Sequence, residues 1–345
     1  MSLPQNLKLA YSQPGFVTFK VDPEKNLPER FTLPVTLART YGWSLGKVAG
    51  EDTESMISEL LSHESFKAKL STAKHVHVYQ RERMLPGGKG WEPGVTALAE
   101  LVGDQLAASL KETHPDLAIN RMAQTDELIL DVVLVEPGVW WFGYHYALSQ
   151  AMRWVGGVPK LDTEKEVASR AYFKLQEALL WAGVKIQPGD TVAEIGSAPG
   201  GACQLLLELG AKVIAVDPAE MEPVIEKHEN LTYHRARGRE VKKKEFRKVK
   251  WLLADLSIAP NYTIDTITDI VTHQSVDLKG VLLTLKLSDW KMVADIPVLM
   301  KRVKELGFQV VRCRQLAFNR QEFCLFAAKD KFAIRSGKRG SAKTT

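Results

Sequence analysis

The tightest constraint in this sequence lies between residues 191 and 217. An apolar run from Thr191 to Ile195 leads into Gly196-Ser197-Ala198-Pro199-Gly200-Gly201, and a helical stretch then ends at Gly210. A second apolar run, Lys212 to Val216, finishes on Asp217, 21 residues after Gly196. Glycines where a strand crosses into a helix let a ligand approach the backbone and let the helix pack close to the sheet. An acid at the end of the next strand is placed to bind ribose hydroxyls. Together they imply a nucleoside cofactor held by Gly196 to Gly201 and Asp217. A nicotinamide fingerprint needs G-x-G-x-x-G. Here Ala198 takes the middle glycine position and Pro199 precedes a Gly-Gly pair, so S-adenosylmethionine fits better than a dinucleotide. The bland alternative is a tight turn that holds no ligand.

The surrounding pattern agrees with an open α/β sheet. From residue 165, helical and strand-like segments alternate: a helix over Lys165–Ala182, then strands over Thr191–Ile195, Lys212–Val216, Trp251–Ala254, Gly280–Lys286, Phe308–Arg314 and Glu322–Ala328. This order predicts a Rossmann-like, doubly wound and mostly parallel sheet, with an antiparallel strand at its end. Before residue 150 the chain reads as a smaller mixed α/β domain. Its helices carry Met56, Ile57, Leu60 and Leu61, and Leu98, Leu101, Val102 and Leu106; strand patterns include Lys8–Tyr11, Glu127–Glu136 and Val139–Tyr146. The segment His75 to Tyr79 alternates like a half-buried strand. A length of 345 residues suits two domains, expected at 1–150 and 151–330, with a disordered basic tail at 331–345.

The formal net charge of +5 conceals an asymmetry. Residues 235–250 hold nine Lys/Arg and two Glu, and residues 331–345 hold five Lys/Arg and no acid, so the remainder sums to −7. Two basic segments on an acidic body point to a polyanion partner, because neutralised phosphates release counterions; the alternative is a solvated loop and tail. The longest apolar stretch, Leu128 to Phe142, is broken by Asp131, Glu136 and Pro137 and is too short for a membrane span. No leader pattern is visible. Three cysteines without metal-type spacing suit a reducing, cytoplasmic setting. No metal is expected, and His75 and His77 read as one face of a strand without a ligand. The absence of heptads predicts a monomer.

Four polar residues interrupt otherwise apolar element ends: Lys174 in SRAYFKLQEAL, Asp255 closing WLLAD, Lys286 in GVLLTLKLSDW, and Glu322 opening EFCLFAA. Taken singly, such a lysine usually snorkels and such an aspartate usually caps a helix. In order, SRAYFKLQEA, VAEIGSAPGGACQLL, VIAVDP, WLLADLS, LLTLKLS and NRQEFCLFAA resemble the motifs of FtsJ-like ribose 2′-O-methyltransferases. The resemblance implies a Lys-Asp-Lys-Glu tetrad at Lys174, Asp255, Lys286 and Glu322, with S-adenosylmethionine as methyl donor and RNA as substrate. Lys286 is then the candidate base, with its pKa pushed down by Lys174 beside it, and Asp255 also lies near the methionine end of the cofactor.

GYHYALSQAMRWVGGVPKL and LAYSQPGF resemble the large-subunit rRNA members of that family, which carry an N-terminal THUMP-type RNA-binding domain; this implies a cytidine of large-subunit rRNA as target. Two other readings stay open: the same chemistry on tRNA, and a non-catalytic RNA-binding or ribosome-assembly protein. The family's acid that contacts adenine aligns with Arg237, so either another acceptor serves or that loop meets RNA phosphate. The aromatic cluster Val139 to Tyr146 is expected to place alternate members in a core, leaving the others free to stack on bases.

Overall fold

A computed structural model describes residues 7–22, 27–84 and 93–330. The basic tail at 331–345 lies outside the described residues. The chain divides into two compact units, Met1–Lys160 and Leu161–Thr345. The division falls beyond the 150 read from the pattern because the next residues bond back to the first unit. Ala123 N donates to Arg153 O at 3.0 Å, Arg153 Nε donates to Ala123 O at 2.7 Å, and the His145 Nε2–H donates to Met152 O at 2.8 Å.

In the first unit, β1 (Leu7–Gln13) and β2 (Phe16–Val21) form an antiparallel hairpin. The chain continues through β3 (Trp43–Ala49), α1 (Thr53–Ser62), α2 (Glu64–Leu70), β4 (His75–Gln80), α3 (Ala97–Leu110), β5 (Ala118–Ile119), β6 (Leu128–Glu136) and β7 (Val139–Tyr146). A five-stranded mixed sheet has the order β3-β7-β6-β4-β5. Asp52 caps α1 by accepting from Ser55 N at 2.8 Å. Strand β4 is buried on both faces, not half-buried as its alternation predicts, because α3 and the turn Val155–Gly157 both pack against it. The aromatic cluster is spent on packing. Trp140, Phe142 and Tyr144 enter the core, and Trp141 packs on Tyr11 and Phe16 of the hairpin at ring distances of 5.3 and 5.6 Å.

The second unit runs α4 (Ala171–Ala182), β8 (Thr191–Ile195), α5 (Gly201–Glu208), β9 (Lys212–Val216), α6 (Pro223–Glu226), β10 (Leu231–His234), β11 (Trp251–Asp255), α7 (Pro260–Val271), β12 (Gly280–Lys286), α8 (Ile296–Lys304), β13 (Val310–Arg314) and β14 (Glu322–Ala328). Its seven strands take the order β10-β9-β8-β11-β12-β14-β13. All pairings are parallel except those of β14, which is antiparallel to β12 and β13. The doubly wound α/β expectation is met. Helix α4 begins at Ala171 rather than Lys165. Tertiary bonds hold the preceding residues out of the helix: Ala168 N donates to Gln204 Oε1 at 3.0 Å and Lys165 Nζ to Glu208 Oε2 at 2.6 Å.

Winding reverses between β8 and β11, so the carboxyl ends of these neighbours form the crevice where an open α/β sheet binds ligands. Among the described residues no helix is long and apolar enough to cross a membrane.

Candidate active site

The glycine loop leaves β8 at that crevice. Gly196 has φ +85°, and a Cβ there would collide with the Asp255 backbone carbonyl, so only glycine lets the loop lie against the end of β11. Gly200, with φ +116°, and Gly201 are similarly crowded, by Met221 and by Ser169. The Ala198–Pro199 peptide is cis. Ser197 is 2% exposed and its Oγ has no partner among the described residues. Asp217 closes over the loop, accepting from Ala198 N at 3.2 Å and from Ala219 N at 2.8 Å.

Beside the loop the four dispersed polar residues meet. Lys174 Nζ lies 3.1 Å from Asp255 Oδ2 and 2.6 Å from Glu322 Oε1. Lys286 Nζ lies 2.9 Å from Asp255 Oδ1 and 2.5 Å from Glu322 Oε2. The charges therefore alternate around a closed ring. Its cations never touch each other. Antiparallel register sets Lys286 opposite Glu322, and β11 pairs with β12 to bring Asp255 alongside. Glu177 of α4 fixes the approach to Glu322 by accepting from Ala317 N and Phe318 N, both at 2.9 Å.

This ring corrects one expectation. Burial does disfavour the Lys286 charge, but Asp255 and Glu322 outweigh it, and the pKa is raised rather than depressed. Burial likewise opposes the Glu322 charge, but Lys174 and Lys286 hold its pKa below the ordinary carboxylate value. Both groups are ionised at neutral pH.

The pattern did not mark Glu194 for a role. It is 2% exposed, and burial raises its pKa to about 8, against the hydrogen bond from Cys203 Sγ at 2.9 Å and with help from Asp255 and Asp217. It is thus a protonated acid in the wall of a cavity of about 30 Å3 shared with Lys174, Asp255 and Cys324. An acid within the apolar run TVAEI was the available signal.

Arg237 is exposed, and its backbone N donates to Glu240 Oε2 at 2.8 Å, so a carboxylate folds back onto this loop.

The basic segment is divided between the two edges of the sheet. Only its start shares an edge with the glycine loop, where Arg235 pairs with Glu220 at 3.1 Å. Arg239 then faces Asp265 and Asp269 of α7 at 4.0 and 3.6 Å. A 3-10 turn, Lys243–Lys248, follows at the opposite edge, and Lys250 pairs with Asp190 at 2.6 Å. Because β11 runs in the same direction as β10, the connection must return to the amino edge before β11 begins.

His75 and His77 have protein partners instead of a metal. His75 Nε2 is 2.9 Å from Glu127 Oε2, and the His77 Nε2–H donates to Arg121 O at 2.9 Å. Among the described residues no group of three or more His, Cys, Asp or Glu is placed to hold a metal ion.

A model of the FtsJ-like methyltransferase family matches residues 167–319. The protein named ribosomal RNA large subunit methyltransferase M from Aromatoleum aromaticum is 27% identical over 196 residues, 54% of this chain and 52% of that protein. Its namesake in Hahella chejuensis is 26% identical over 187 residues, covering 51% of this chain and 47% of that protein. These matches span about half the length of the relatives. That of Pectobacterium carotovorum, at 22% identity over 365 residues, takes in 92% of this chain and 94% of that protein. Lys174, Asp255, Lys286 and the glycine loop fall inside the match to the FtsJ-like methyltransferase family, with Glu322 just beyond it.

Proposed function

We propose that this chain transfers a methyl group from S-adenosylmethionine to a ribose 2′-hydroxyl in RNA, at a cytidine of large-subunit rRNA. The observation that carries the reading is the alternating ring of Lys174, Asp255, Lys286 and Glu322, set against the glycine loop at the sheet's switch point. The relatives' shared name supports rRNA over tRNA as the substrate.

The residues fit the cofactor. Ser197 Oγ is a buried donor without a partner among the described residues, the loop glycines leave the backbone approachable, and Asp217 offers two carboxylate oxygens for ribose hydroxyls. Glu240, whose Oε2 accepts from Arg237 N, is the candidate acceptor for an adenine amine in place of the acid absent at 237. When bound, S-adenosylmethionine supplies a methyl group already activated on a sulfonium. The chain then has two tasks, to orient the hydroxyl and to remove its proton, and orientation alone supplies much of the rate.

Asp255 and Glu322 hold both ammonium groups in place. Lys286 Nζ takes up the hydroxyl proton after losing its own to solvent, and its raised pKa makes that loss the pH-dependent event. The first unit, with its mixed sheet, is read as the THUMP-type RNA-binding domain, and the chain as a monomer that needs no metal.

Mapping 2′-O-methyl groups in ribosomal RNA from cells with and without the gene tests the reading. One large-subunit cytidine losing its methyl group is expected. An unchanged rRNA map with a lost tRNA methyl group moves the substrate, and no change in either removes the activity.

A further inference from the structure

At the amino edge of the second sheet lies a groove of about 450 Å3, formed where the turn Lys243–Lys248 passes the first residues of β8, β9 and β10. Lys212, Lys244, Arg247 and Lys248 line it and all are exposed. Among the described residues none of these four forms an ion pair, although Glu229 and Glu245 share the groove. The contrast within one segment is informative. Arg235, Arg239 and Lys250 each have a carboxylate partner, whereas the cations of the turn are left over. Phe246, with no exposed surface, anchors the turn in the core between β8, β11 and α7 and so fixes where these charges stand.

We propose that this groove binds an RNA phosphodiester backbone, as a second contact separate from the methyl-transfer site. The proposal rests on the reading that the substrate is RNA. The strands of this sheet end at the tetrad and begin at the groove, so five residues at about 3.3 Å each put roughly 15 Å of sheet between the two edges. A chain entering the active site does not reach both by local contact; a folded or long RNA does. Asn230 and Thr232 add neutral donors, and among the described residues no aromatic side chain lines the groove, which suits phosphates rather than bases. Free cations with neutral hydrogen-bond donors hold a register on a backbone without reading its sequence.

The test compares the full chain with a triple variant, Lys244→Ala, Arg247→Ala, Lys248→Ala, and with a charge-keeping triple variant, Lys244→Arg, Arg247→Lys, Lys248→Arg. Affinity for a large-subunit rRNA transcript is measured against salt, beside a short oligonucleotide carrying only the target region. Each lost phosphate contact flattens the logarithmic salt slope by about 0.7 to 0.9, so the alanine variant is expected to lose about two to three units. Its affinity for the transcript should fall roughly tenfold to a hundredfold near 0.1 M salt. The short oligonucleotide, S-adenosylmethionine affinity and kcat should be unaffected, and the charge-keeping variant should behave as the parent chain.

Equal salt slopes for the parent and the alanine variant overturn the groove, whether the surface is merely solvated or meets an acidic protein. A drop in cofactor affinity or helical circular dichroism in both triple variants would mark a folding effect; single alanine variants, each expected to flatten the slope by about 0.7 to 0.9, then decide. Failure of the parent chain to methylate any RNA overturns the methyltransferase reading instead, and is scored separately from the salt slopes.

Discussion

Each unit of this chain buries a polar cluster, and the two are built on different logic. In the first unit, His145 Nδ1 lies 2.5 Å from Asp131 Oδ2, and its pKa is raised because that carboxylate overcomes the burial. His77, lying 6.3 Å from it ring to ring, is pushed down to about 4 by burial and stays neutral. Both imidazoles end on backbone carbonyls, those of Met152 and Arg121. Such a cluster ties loop backbone to a sheet face. In the second unit the tetrad pairs side chain with side chain, keeps Lys286 a quarter exposed, and stands at the carboxyl edge beside an approachable loop. Burial of charge alone does not mark chemistry. Access, reciprocal side-chain pairing and position at a switch point do.

Breaking each cluster should therefore give different symptoms. The largest effect is expected from Lys286→Met, which removes the candidate base and should slow methyl transfer by about a hundredfold to ten-thousandfold in single-turnover assays. Cofactor affinity should change little. For the parent chain, a base with a raised pKa gains its free form only as pH rises, so the rate should climb with pH through the neutral range.

Next comes Asp131→Ala. Leaving the His145 charge unpaired in a dry site costs about 3 to 5 kcal/mol, read by denaturant unfolding of the first unit, with S-adenosylmethionine affinity intact. The sign is fixed by His145: its folded-state pKa is raised, so the pair's contribution is full below pH 6.5 and is lost as pH rises through the folded value.

Asp217→Ala should weaken cofactor binding by about 1.5 to 3 kcal/mol in calorimetry, the usual cost of a lost charged hydrogen bond, without altering either cluster. Glu194→Gln sharpens the comparison at smallest cost. Glu194 is neutral when folded and ionised when unfolded between its ordinary value near 4.5 and about 8, so its burial penalises folding across that window. The amide removes the penalty. Tm should rise relative to the parent near pH 8 and converge with it below pH 4.5.

The sequence was most legible where function breaks a local rule. The glycine run, Asp217 and the four polar interruptions of apolar elements stand out because sheet cores exclude them, and their order along the chain matched a family. Three features were not legible because they depend on tertiary placement. Residues 165–170 have helical composition, but Gln204 of α5 captures the backbone N–H of Ala168. The segment 235–250 reads as one basic patch, yet the parallel strands it joins oblige it to cross from one edge to the other. The direction of the Lys286 shift depended on which charges touch. Two lysines in one site suggest mutual repulsion, but two carboxylates stand between them.

The central claim is that the ring of Lys174, Asp255, Lys286 and Glu322 directs a methyl group to a ribose oxygen. Large-subunit rRNA incubated with the full chain and methyl-labelled S-adenosylmethionine, then hydrolysed in alkali, tests it most directly. A methylated 2′-oxygen cannot attack the neighbouring phosphate, so the account predicts label in alkali-stable dinucleotides, lost in Lys286→Met. Label recovered in mononucleotides, or in equal amount from Lys286→Met, would contradict it.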